Sequence, residues 1–205
     1  MIPVEILISK GALVREIGVG DSIFKEGATA NFYYQIIKGR VRTCNFLDDG
    51  REVLHQVLGP HEGLGLASIL DRETYIATAI ADAKSTVYKI SVQAFYEILT
   101  EYPYVGLGIS KVLAKEIRFK VLLMNIISLR SPEAAVTKLI QLLHDEGRLI
   151  CPECNKLLLT RQQLANMTGL RVETIIRTMK QMEREQKISI MNGKVFVKQL
   201  KLAHE

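Results

Sequence analysis

Hydrophobic and polar positions change period once along this chain, near residue 91. Before it, apolar residues come in short runs separated by turn residues. Ala12 to Ile17 is followed by Gly18, Gly20 and Asp21. Phe32 to Ile37 (FYYQII) ends at Lys38-Gly39, and Val41 to Phe46 alternates until Asp48-Asp49-Gly50. Val53 to Leu58 ends at Gly59-Pro60, and Ile76 to Ile80 and Thr86 to Ile90 complete the set. Short β-branched and aromatic runs at this spacing predict an all-β barrel or sandwich. After residue 91 the spacing is helical. Ser91 predicts an N-cap for a helix through Thr100. Pro103 to Leu129 lacks helix breakers apart from early glycines and carries two apolar seams. One is Leu113, Ile117, Met124, Ile127; the other is Val105, Ile109, Val112, Phe119, Leu123, Ile126. Two stripes require two partners, and the natural pair is the barrel and a second copy of the helix. The second seam, Val105, Val112, Phe119, Leu123 and Ile126, is assigned to dimerisation.

Ser131-Pro132 predicts an N-cap with proline at the first helical position, opening a helix to about Asp145 that stops at Gly147. Thr160-Arg161-Gln162-Gln163 is a capping box. A short helix with Leu164 and Ala165 inward breaks at Thr168-Gly169. A second runs from about Val172 to Gln186 with Ile175, Met179 and Met182 on one face. Ile188 to Met191, Asn192-Gly193 and Lys194 to Val197 then read as a hairpin with a type I′ turn. Helix, glycine turn, helix and hairpin is the pattern of a winged helix-turn-helix. The expected organisation is residues 1–100 as a β sensing domain, 101–130 as dimerisation helix and hinge, and 131–205 as a DNA-binding domain.

Charge supports this division. Of the net +5, residues 1–100 contribute −2, residues 101–129 contribute +2 and residues 130–205 contribute +5. The positive charge therefore gathers where a phosphate-binding surface is sought. On the second helix, Arg177 can donate two bonds to guanine, Glu173 can accept from cytosine, and Ile176 can meet a thymine methyl. Arg161, Arg171, Lys180, Lys194 and Lys198 are phosphate candidates. The alternative for Glu173 and Arg177, four residues apart, is a surface ion pair.

LLLTRQQLANMTGLRVETIIRTMKQMEREQKISI resembles the helix-turn-helix of the CRP/FNR family of bacterial transcription regulators. GDSIFKEG, FYYQIIKGRV and DDGREV resemble that family's cyclic-nucleotide-binding β-roll. The fold so implied is α+β: an N-terminal double-stranded β-helix of the β-roll type, a long dimerisation helix and a C-terminal winged helix-turn-helix. The function implied is a homodimer that binds palindromic double-stranded DNA and works with RNA polymerase. By position, Glu173 and Arg177 match the family's base-reading pair. Val172 stands where cyclic-AMP-responsive members carry an arginine, so a TTGAT-like half-site is expected rather than TGTGA. Ile176 and Arg171 depart from the family pattern, and Arg171 leaves the second helix without its usual Ser or Thr cap.

The family's nucleotide pocket corresponds here to Gly65, Leu66, Ala77, Thr78, Phe119 and Lys120. Leu66 replaces the ribose-binding glutamate and Ala77 the phosphate-binding arginine, so a cyclic phosphate would lack its charge partner. Cyclic AMP is not expected as the effector, whose identity the sequence leaves unknown. No cysteine precedes Cys44, so an FNR-type iron–sulfur cluster is not expected either. His55 or His61 could ligate haem, though a single histidine beside a turn reads first as a surface residue. The four histidines (His55, His61, His144, His204) lack the spacing of a cupin metal centre, and no catalytic residues or metal site are expected. Cys151-Pro152-Glu153-Cys154 reads as a hairpin turn, with a thiol–disulfide sensor as the alternative. The three cysteines make no disulfide framework, the opening MIPVEILISK carries Glu5 and no basic leader, and no apolar stretch reaches bilayer length. A cytoplasmic, non-enzymatic protein with no membrane partner is expected. The competing reading is a ligand- or redox-responsive module that docks protein instead of DNA.

Overall fold

The structure, a computed structural model, describes residues 1–198; His204 and the rest of the C-terminal segment lie outside the described residues. The chain divides into two compact units, Met1–Ile117 and Arg118 onward.

The first unit holds α1 (Val4–Ser9), β1 (Leu13–Ile17), β2 (Ser22–Phe24), β3 (Phe32–Phe46), β4 (Glu52–Leu58), β5 (Gly63–Leu64), α2 (Leu66–Leu70), β6 (Thr78–Ser91), α3 (Val92–Glu101) and the start of α4 (Pro103–Ile127). All strand pairs are antiparallel, in the order β1-β6-β3-β4, with β2 on β6 and β5 on β3. The sequence predicts separate strands on either side of Lys38-Gly39 and between Ile76 and Ile90. The structure instead shows two long bent strands, β3 and β6. Their ladder shifts register three times between Ile36 and Val41. At the bend Gly39 has φ +102°, and a Cβ there would lie 2.6 Å from Ser85 Cα. Glycine thus turns the strand without ending its pairing.

The core of this unit joins Tyr33, Ile36, Val87 and Ile90 from the strands to Phe95 and Ile98 of α3. Gln35 is buried but satisfied: its amide donates to Ile2 O (2.9 Å) and its Oε1 accepts from Ile2 N (3.1 Å) and the Tyr33 hydroxyl (2.9 Å). That triad ties the N-terminal segment, including the unpredicted α1, to β3. Ser91 caps α3 as expected, accepting from Ala94 N at 3.2 Å. Cys44 is fully buried in β3, and burial pushes its thiol up to about 11.

The second unit contains the end of α4, then α5 (Pro132–Asp145), α6 (Arg161–Thr168), α7 (Val172–Arg184), β7 (Ile188–Met191) and β8 (Lys194–Val197). Ser131 caps α5, accepting from Ala134 N, with Pro132 in the first turn. Val136, Leu139, Ile140 and Leu143 of α5, Leu164 of α6 and Ile175 of α7 are wholly buried.

The residues of the second apolar seam of α4 are largely covered in the single chain. Val105, Phe119, Leu123 and Ile126 are buried within the chain and Val112 is half-buried. Phe119 is 3% exposed and carries the Arg148 guanidinium 4.6 Å from its ring centroid, while Arg118 pairs with Glu146 at 2.9 Å. Phe119 is thereby engaged by Arg148 within its own unit. The division between the two compact units falls at Ile117/Arg118, inside α4. The apolar residues that α4 leaves exposed are Tyr104, Leu107, Ile117, Val121, Leu122, Met124 and Ile127.

Candidate nucleic-acid interface

The capping box forms at the start of α6: Thr160 Oγ1 accepts from Gln163 N, and Gln163 Oε1 accepts from Thr160 N, each at 3.0 Å. Gly169, at φ +72°, ends the helix in the left-handed conformation, its N–H donating to Ala165 O at 2.9 Å. This turn aims α7. Arg171 precedes α7 and makes no side-chain cap, as its chemistry predicts.

Burial then sorts α7 into two faces. Ile175, Thr178, Met179 and Met182 are at most 2% exposed. Glu173, Ile176, Arg177 and Lys180 are exposed; Glu173 lies three and four residues before Ile176 and Arg177, and Lys180 four and three after them, so they share the opposite face. Ile176 is 40% exposed, an apolar side chain held at the surface between charged neighbours. Val172 is half-buried in the first turn, less available than the other three base candidates. No ion pair joins Glu173 to Arg177 among the described residues. Arg184 continues the same exposed stripe; the sequence reading missed it, although its spacing from Arg177 and Lys180 was the signal.

β7 and β8 pair from Ile188↔Val197 to Met191↔Lys194. Asn192 (φ +49°) and Gly193 (φ +74°) form the expected turn, both with positive φ. Arg161 is half-buried and its guanidinium donates to Gly193 O, so the start of α6 holds the wing tip. Part of Arg161's donor set is thereby engaged within the protein. Glu183 Oε1 accepts from Ile190 N at 2.9 Å, tying α7 to β7. Arg171, Lys180, Lys194 and Lys198 are exposed. Helix and wing are thus tied together by hydrogen bonds and expose Arg171, Arg177, Lys180 and Lys194, with acidic Glu173 at the N-terminal end of α7.

The effector-pocket residues fall in different units. Gly65, Leu66, Ala77 and Thr78 are in the first, where Leu66, Ala77 and Thr78 are buried. Thr78 Oγ1 accepts from Glu26 N at 3.1 Å. Gly65, at φ +79°, faces a ring the sequence reading missed: a Cβ on Gly65 would stand 2.7 Å from Tyr75 Cε1. Tyr75 is 3% exposed, stacks on Phe24 with centroids 3.8 Å apart, and donates to Phe32 O at 2.6 Å. Burial pushes its hydroxyl up to about 12, aided by Tyr34. Phe119 and Lys120 belong to the second unit. Among the described residues, no group of three His, Cys, Asp or Glu is placed to hold a metal ion, and no helix is long and apolar enough to cross a membrane.

Two family models match. Residues 14–102 match the cyclic nucleotide-binding domain and residues 136–202 the Crp-like helix-turn-helix domain, together most of the chain. The transcriptional activator protein FnrA of Stutzerimonas stutzeri is 27% identical over 165 residues, which cover 80% of this chain and 67% of that protein. The nitrogen fixation regulation protein FixK of Bradyrhizobium diazoefficiens is 26% identical over 178 residues, covering 85% and 73%. Among solved structures, FixK2 from Bradyrhizobium japonicum has the same fold at a TM-score of 0.76 and 18% identity, covering 91% of this chain and 92% of that one. With a β-roll and a winged helix-turn-helix in the same order as these relatives, the chain belongs to the CRP/FNR family of transcription regulators.

Proposed function

We propose that this regulator binds a palindromic duplex site as a homodimer, placing the first turns of α7 in the major groove. The observation that carries this is the sorting of α7. An inner face sealed by Ile175, Met179 and Met182 fixes an outer face of Glu173, Ile176, Arg177 and Lys180 beside a braced wing. In this reading Arg177, Glu173 and Ile176 select bases, with Val172 at the edge of the contact. Arg171, Lys180, Lys194, Lys198 and the remaining donors of Arg161 hold phosphates. Selection of bound sequences from random duplexes tests it. A palindrome whose enrichment at one position per half-site disappears in Arg177→Ala is expected. Binding that ignores sequence, or does not weaken as salt rises, overturns it and favours a protein-docking module.

The dimer seam is the exposed face of α4. Leu107, Ser110, Ala114, Ile117, Val121, Met124 and Ser128 alternate three and four residues apart, the spacing of a two-stranded coiled coil. The two serines fit an apolar seam because their hydroxyls donate within the helix, Ser110 to Gly106 O (3.0 Å) and Ser128 to Met124 O (2.8 Å).

The effector is not cyclic AMP. Leu66 and Ala77 offer a cyclic phosphate neither charge nor donor side chain, and Tyr75 packs against Gly65 where those residues converge. Titration calorimetry with cyclic AMP should give no binding heat. The protein works in the cytoplasm, has no catalytic role, and contacts RNA polymerase as the family resemblance implies.

A further inference from the structure

We propose that Cys151 and Cys154 are a redox-active dithiol, oxidised by a hydroperoxide to a disulfide within the turn that supports the wing. The turn is closed by two backbone bonds, Asn155 N to Cys151 O (2.8 Å) and Cys151 N to Lys156 O (2.9 Å). Asn155 sits at φ +55°. The two cysteines are therefore one helical-type turn apart, a separation a disulfide can span. The neighbouring Cys154 thiol, then the backbone N–H groups of Cys154 and Glu153, favour the charged form of the Cys151 sulfur. They hold the Cys151 thiol below its ordinary range, which favours the thiolate. Cys151 is half-buried and Cys154 exposed, so both are within reach of a small oxidant. Cys44, buried with its thiol pushed up, is not.

The chemistry balances as a two-electron oxidation. Cys151 thiolate, its proton released to water, attacks the terminal oxygen of a hydroperoxide. The O–O bond breaks, leaving Cys151 sulfenic acid and an alkoxide that takes up a proton to become the alcohol. Cys154 sulfur, giving up its own proton, then attacks Cys151 sulfur. The S–O bond breaks and hydroxide leaves, taking that proton as water. The sum is two thiols and one hydroperoxide giving one disulfide, one alcohol and one water.

The position gives the reaction a consequence. Asn155 O accepts from Val197 N (2.9 Å), and Leu157 N donates to Val195 O (2.8 Å), so the cysteine turn is bonded directly to β8 between Lys194 and Lys198. A covalent link across the turn fixes the frame on which that strand rests.

Treating the full chain with limiting hydrogen peroxide tests the proposal. The intact mass should fall by two hydrogens, mapped to the peptide carrying both residues, with Cys44 still reduced. Cys154→Ser should instead stop at a sulfenic acid on Cys151, captured by dimedone, and Cys151→Ser should lose both products. On oxidation of the wild type, exchange of the Val197 and Leu157 amides should slow several-fold. A wild type that keeps both hydrogens while taking dimedone at either cysteine overturns the proposal. So does a Cys151→Ser variant oxidised at the wild-type rate, and unchanged exchange at both amides overturns the link to the wing.

Discussion

Replacing Ile117 by glutamate separates the two faces of α4. Ile117 is 66% exposed in the isolated chain, whereas Phe119, two residues on, is 3% exposed. Complete burial of an isoleucine contributes about 1.5–3 kcal/mol, so covering the exposed two thirds contributes about 1–2 kcal/mol per side chain. A two-fold seam contains two copies, which makes the loss about 2–4 kcal/mol, before any repulsion between the two new carboxylates. That is a weakening of dimerisation by about 30- to 1000-fold. Within the chain, a change at so exposed a site should move stability by no more than about 0.5 kcal/mol. Phe119→Ala should do the reverse, costing about 3–5 kcal/mol of folding stability through the cavity it leaves and the ring Arg148 loses. Sedimentation equilibrium over a dilution series reads the first quantity. Urea unfolding at matched low concentration reads the second, because dimer dissociation otherwise enters the midpoint by mass action. If Ile117→Glu sediments as the wild type, or Phe119→Ala dissociates without losing stability, the seam belongs to the buried residues and the reassignment fails.

Arg177→Ala should relax discrimination at one base pair by about 1–3 kcal/mol, whereas Lys194→Ala should weaken all sites alike and lower the salt slope by about one, both read by fluorescence anisotropy over a salt series. Gly65→Ala, at φ +79° with its new methyl 2.7 Å from Tyr75 Cε1, should cost the first unit about 2 kcal/mol in a denaturant melt. Thr178→Val should leave stability unchanged or raise it by about 1 kcal/mol, since the buried Thr178 hydroxyl has no hydrogen-bond partner among the described residues. Burial raises the Tyr75 hydroxyl in the folded state from 10.0 to about 12, so the folded protein holds that proton more tightly than the unfolded chain does. Stability from this source is complete below pH 10 and falls as pH rises toward 12, and Tyr75→Phe should make the alkaline fall shallower.

What could be read from sequence is what local chemistry decides. The caps at Ser91, Ser131 and Thr160 and the Asn192-Gly193 turn follow from side chains and backbone within three residues of one another. So does the sorting of α7, because a period of 3.6 separates its two faces without reference to the rest of the chain. Gly39 misled as a strand end because its bend is completed by Ser85, 46 residues later in sequence. The seams of α4 are underdetermined by sequence for a related reason. Periodicity shows that two faces are apolar but not which partner covers each, and Arg148 and Glu146 decide that from beyond the helix. Tyr75 carried no local signal, since its place depends on stacking against Phe24 from a distant strand.

The first unit matches the cyclic nucleotide-binding domain, the positions that the resemblance assigns to the phosphate and ribose are the apolar Ala77 and Leu66, and Tyr75 is held by a stack and a hydrogen bond. A ligand shifts a conformational equilibrium only by its difference in affinity between two states. An anion that displaced Tyr75 would cost its stack on Phe24 and its bond to Phe32 O, with no cationic side chain at Leu66 or Ala77 to offset that loss. Control by an anion bound in that way would be weak on energetic grounds. The dithiol at Cys151 and Cys154 carries no such penalty, because its turn is already closed and already bonded to β8. Its signal would arise in the unit that holds α7 and the wing, with no need to travel from the β-roll at all. A peroxide-dependent change in DNA affinity that survives Gly65→Ala but not Cys151→Ser would establish that division of labour; dependence on both substitutions would return the sensing role to the β-roll.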